Sequence, residues 1–187
     1  VLDKGIRRVF NLIAMDRIST VKGGLFNTGT TAELNGLWDE GFAAFKAIEG
    51  TINQNVRKLS EDGLLIVDGS NAGLADNVER AFINGQDAIN KDSGDADDGG
   101  DDADLTRIQV QRQIIRFTME RGFYLIVLKE VKAALENRVS NPDGARKNQK
   151  EGEVFHTAIA AKVIRDNPTG NDIIEAQLTG PLSGIVA

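Results

Sequence analysis

Carboxylates are the residues of this chain best placed to do chemistry. Trp38-Asp39-Glu40 is followed by Glu49, and a second group, Glu151, Glu153 and His156, follows the turn signal Asn141-Pro142-Asp143-Gly144. Glu153 and His156 have the i, i+3 spacing by which helical bundles present ligands to a non-haem iron or manganese ion. Asp39 and Glu40 adjoin the aromatic residues Trp38, Phe42 and Phe45. A carboxylate drawn into such surroundings requires a cation, a metal or a proton beside it. Glu40 and Glu49 project about 180° apart on a helix, so both cannot face one partner helix and one of them is capping or solvated. The plain alternative for His156 is a partly exposed histidine making one hydrogen bond.

Composition removes most other chemistries. The 187 residues include no cysteine and one histidine, so disulfides, thiolate metal sites, cysteine nucleophiles and clusters of imidazoles are excluded. A carboxylate-bridged di-iron oxidase needs two Glu-x-x-His motifs and this chain has one. Nothing pairs a nucleophile with a base, so an enzyme is not expected. Gly23-Gly24 and Gly99-Gly100 match neither the phosphate-cradling loop nor the dinucleotide fingerprint. Twenty-two Lys and Arg against 28 Asp and Glu leave a charge of −6, which argues against nucleic acid as a partner. No apolar run approaches the length of a membrane span.

The acidity is local. Between Asp92 and Asp104 stand seven aspartates, three glycines and no cation, and the remainder of the chain is close to neutral. This window reads as a mobile, solvated loop that collects cations, calcium included, only weakly. An EF-hand frame fails there, because a start at Asp95 puts Gly99 at position 5 and Thr106 at position 12, where glutamate is needed.

Helical periodicity dominates on both sides of the window. From Lys4 to Val21, Ile6, Val9, Phe10 and Ile13 suggest an apolar stripe. Thr30-Thr31-Ala32-Glu33 forms a capping box ahead of Leu34, Leu37, Trp38, Phe42, Phe45 and Ile48, in a helix reaching about Leu59. The run Leu64 to Val67 is ambiguous between strand and helix. Ser70-Asn71 caps a third pattern through Ile89. Leu105 to Val139 reads as one long helix whose middle, Phe123 to Leu128, is apolar on every side and therefore expected to be surrounded. One further helix is expected through Val154, Phe155, Ile159 and Ile164, ending before Asn167-Pro168, and a last short one capped by Asn171. The fold expected is all-α: a single domain over 1–187, a bundle of about five longer helices around a long central one.

The order of short words along residues 30 to 180 resembles the algal low-iron-inducible periplasmic family, to which phytotransferrin-like proteins are related. The words are Trp38-Asp39-Glu40-Gly41-Phe42-Ala43-Ala44-Phe45, Ile48-Glu49-Gly50-Thr51, Asn77-Val78 with Phe82 and Gly85-Gln86, Ile108-Gln109, and Glu151-Gly152-Glu153-Val154-Phe155 with Ile159. The family's usual cysteines are absent. The resemblance implies a non-enzymatic role in iron acquisition outside the plasma membrane. It places Asp39, Glu40, Glu49, Glu151 and Glu153, beside His156, among the expected ligands of a ferric ion, a hard cation suited to oxygen donors. The alternative is a structural or self-assembling protein of the cell surface, forming homo-oligomers or filaments through the apolar tail 180–187 and the leading Val1-Leu2. A chain beginning at Val1 reads as trimmed, or as a mature extracellular or periplasmic form.

Overall fold

The computed structural model describes residues 2–20, 30–61, 73–92 and 102–185. Within them the chain is all-α, as expected, with no strand. Seven α-helices follow in order: α1 (Leu2–Thr20), α2 (Thr31–Glu61), α3 (Leu74–Asp92), α4 (Asp102–Asn137), α5 (Pro142–His156), α6 (Ala160–Asp166) and α7 (Pro168–Thr179), then a 3-10 turn at Leu182–Gly184. The ambiguous run at Leu64, the cap at Ser70-Asn71 and most of the acidic window lie outside the described residues. The edges of that window are helical: α3 runs to Asp92 and α4 begins at Asp102.

The helices gather into two compact units. One holds residues 10–50 and 73–119. Its core is aromatic: Phe82 of α3 meets Trp38, Phe42 and Phe45 of α2 with ring centroids 5.6, 5.2 and 5.9 Å away. Trp38 Nε1 donates to the Phe82 carbonyl oxygen at 2.7 Å, so the one polar atom of a buried indole is satisfied. Gly85 lies flat against that indole, and a Cβ there would overlap the ring. The expected capping box forms: Glu33 Oε2 accepts from the Thr30 N–H at 2.8 Å and Thr30 Oγ1 accepts from the Glu33 N–H at 3.3 Å. The stripe expected on α1 turns outward, with Ile6, Val9 and Ile13 exposed. Asn11, Ala14 and Ile18 are buried instead. Small residues decide this, because Ala14 and Gly41 let two helix backbones approach, and a Cβ on Gly41 would meet the Ala14 carbonyl at 3.4 Å. Arg112 Nε of α4 donates to the Ile18 carbonyl at 2.5 Å.

The other unit holds residues 1–9, 51–72 and 120–187. Phe123 of α4 packs edge-on against Phe155 of α5, 5.6 Å between centroids, and Lys4 lies over the Phe155 ring. Gly122 admits Ile52, and Gly152 admits Leu178 of α7. The segment Phe123–Leu128 is not surrounded as expected: Phe123, Leu125, Ile126 and Val127 are buried, but Tyr124 and Leu128 are about two-fifths exposed. The single helix expected to end at Asn167 is two helices, interrupted by turns at Thr157–Ile159. The last helix starts earlier than expected. Asn167, not Asn171, caps it, accepting from the Gly170 N–H at 2.9 Å with Pro168 in the first turn. Asn141 caps α5 by the same Asn-Pro-x-Gly arrangement, at 3.0 Å. Beyond α7, Ile185 is buried against Ala134 and Ala145, with Val131, Leu135 and Leu182 around it.

Candidate functional site

In the first group, Asp39 and Glu40 of α2 are exposed and Glu49 is half-buried. Burying Trp38 turns the next two positions to solvent, so Asp39 and Glu40 are exposed rather than drawn into the aromatic core. Asp39 accepts from Gln86 Nε2 at 2.9 Å. Glu40 is paired with Arg17 Nε at 2.6 Å, and Glu49 with Lys46 Nζ at 2.7 Å. Lys46 is shared with Glu79 at 3.4 Å, and its hydrogen bond to Glu49 helps to raise its pKa.

The second group divides. Glu151 is buried, with Lys4 Nζ 3.7 Å away. Glu153 is half-buried and pairs with Lys150 at 2.7 Å. The chain's own lysines and arginines thus supply the cation that each carboxylate requires, save Asp39, whose partner is an amide. Among the described residues, no group of three or more His, Asp or Glu side chains is arranged to hold a metal ion.

His156 is different. It ends α5 with 3% of its surface exposed, and its closest polar company comes from α7 rather than from Glu153. Asn171, 4% exposed, faces the imidazole, and Asn171 Nδ2 donates to Glu175 Oε1 at 3.0 Å. His156 Nε2 and Asn171 Oδ1 are both buried without a well-formed hydrogen bond. Burial holds the imidazole pKa below its ordinary value, while the Glu175 charge and the Asn171 side chain act in the opposite sense. The result is an imidazole disfavoured from protonating by burial, with the Asn171 side chain as its polar neighbour and the Glu175 carboxylate one turn further along α7.

Neither Asn171 nor Glu175 was expected in a site. Both lie on a helix whose start the sequence pattern misplaces, and Asn171 reads as a cap. Glu130 of α4 is buried as well: it is 1% exposed, Oε1 accepts from Lys129 Nζ at 2.8 Å, and Oε2 makes no hydrogen bond. No helix among the described residues is long and apolar enough to cross a membrane. Comparisons with protein-family models, with curated proteins and with solved structures return no match to this chain.

Proposed function

We propose that this chain is a non-enzymatic protein that binds a metal cation, with His156, Asn171 and Glu175 as the residues that would hold it. The supporting observation is the enclosed pair His156 and Asn171 beside Glu175, whose Nε2 and Oδ1 atoms make no well-formed hydrogen bond although the two side chains are neighbours. A buried acceptor without a well-formed hydrogen bond costs about 1–3 kcal/mol, and a bound cation would offset that cost at Asn171 Oδ1 and at an unprotonated His156 Nε2 together. Imidazole nitrogen with amide and carboxylate oxygen suits zinc, cobalt or iron better than calcium. Ferric iron is the ion that the family resemblance favours, in a location outside the plasma membrane. Asp39, Glu40, Glu49, Glu151 and Glu153 remain candidates only where a metal displaces Gln86, Arg17, Lys46, Lys4 or Lys150 from them.

Equilibrium dialysis of the full chain against ferric citrate, cobalt(II), zinc and calcium tests the reading. Saturable binding of one ion per chain, lost in His156→Gln and weakened at least about tenfold in Glu175→Gln, is the expected result. Binding unaffected by either change would contradict it.

A second reading, assembly with another copy or another protein, has its own observation. In the unit containing residues 73–119, α4 leaves Val110, Ile114 and Phe117 exposed at spacings of four and three, where an outward helix face is ordinarily polar. The tail is a weaker basis for assembly, since Ile185 is already buried in its own chain. Light scattering of Phe117→Glu beside the unaltered chain tests this reading, and an unchanged particle mass would count against it.

A further inference from the structure

We infer that α6 and α7 form a flap that closes over His156 and must lift for a cation to enter or leave. The inference rests on the cation-binding reading given above. Between Ile159 and Leu178, both buried, the chain contains one buried residue, and it is polar: Asn171, seated against His156. No residue of α6 is buried, and Ile164 and Ile173 are half exposed.

Attachment is concentrated at one end. Leu178 fills the space over Gly152, with its Cδ2 2.5 Å from where a Cβ on that glycine would stand. Gln149 Nε2 donates to the carbonyl oxygens of Gln177 and Gly180, at 2.7 and 3.2 Å, and Arg146 donates to Gly180 at 3.0 Å. These contacts fix the C-terminal end of α7 to α5. The other end turns back at Ile159, where the Ile159 N–H donates to the His156 carbonyl at 2.9 Å. Between these ends, Asn171 lies against His156 and Lys162 is paired with Glu120 at 3.9 Å. A segment with few buried apolar side chains opens at lower free energy than the core on which it rests.

His156 and Asn171 are almost wholly enclosed, whereas Glu175 is exposed. A cation can therefore meet the carboxylate before it can meet the imidazole, and it reaches the imidazole only when the flap opens. Occupancy would draw the flap down, because two of the three donors are on α7 and the third is on α5.

Hydrogen exchange on the full, metal-free chain reads the flap directly. Amides of residues 160–177 should exchange at least about tenfold faster than those of 125–134 in α4. Leu178→Ala, which removes the packing over Gly152 and leaves the three proposed ligands in place, should speed both that exchange and the uptake of cobalt(II) by about tenfold or more. Saturating cobalt(II) should slow flap exchange in the unaltered chain and leave it unchanged in His156→Gln. The flap is overturned if residues 160–177 are as protected as α4, or if Leu178→Ala changes neither rate. If no ion binds but the metal-free flap opens as described, the function proposed above fails and the opening stands without its role. If cobalt(II) binds while the flap stays as protected as α4, the gate fails and the function stands.

Discussion

His156 is the residue on which the proposed cation site turns, and its burial has a consequence for stability. Its folded-state pKa lies below the ordinary value, so between pH about 6.5 and the folded pKa the unfolded chain binds the proton and the folded chain does not. Stability from this group is full above pH about 6.5 and declines as the pH falls through that window. Urea titrations from pH 7.5 to 5 should show the decline, and His156→Gln should flatten its part of it; identical pH profiles for both proteins would contradict the assignment. Gly85 makes a separate prediction, about packing. With no room beside Trp38, Gly85→Ala should cost about 1–3 kcal/mol in urea unfolding, through a displaced indole and a weakened bond to the Phe82 carbonyl. An unchanged midpoint would show that the indole can shift freely.

At the scale of elements, the sequence pattern was readable where a single local device decides the outcome. The Thr30–Glu33 box and the Asn141-Pro142 start are of that kind, since each requires only neighbouring atoms. Patterns failed where tertiary contacts choose between faces. On α1 the larger residues Ile6, Val9 and Ile13 gave the stronger apolar signal, yet the close approach at Gly41 selects the face with Asn11, Ala14 and Ile18. At the C-terminal end, Asn167 and Asn171 are both acceptable caps by type, and Pro168 favours the earlier one. Misplacing that boundary conceals Asn171 and Glu175 as partners of His156. Replacing Asn141 or Asn167 by Ala should each cost about 1 kcal/mol, measured by thermal or urea unfolding. The Asn167 change should also loosen α7 selectively in hydrogen exchange, whereas equal loosening across α4 would count against a local role.

At the scale of the molecule, four of the five carboxylates expected as ligands are already paired with a lysine or arginine. The six residues expected as ligands divide between the two units, with Asp39, Glu40 and Glu49 in one and Glu151, Glu153 and His156 in the other. All but His156 and Asp39 have a lysine or arginine of the same unit as partner. Spacing along a sequence shows where acids occur and is silent on which cations fold beside them. The tail illustrates the same limit: its apolar character was plain, and its seat at Ala134 and Ala145 was not. Ile185→Asp should therefore lower stability by about 2–4 kcal/mol without changing the particle mass in light scattering. Loss of a larger species would instead favour assembly through the tail.

The most direct measurement is isothermal titration of the metal-free chain with cobalt(II), zinc and ferric citrate, run beside His156→Gln and Glu175→Gln. One saturable site per chain, absent from the first variant and weakened about tenfold or more in the second, is the predicted result. A chain that binds none of these ions, or binds them equally well without His156, would contradict the account.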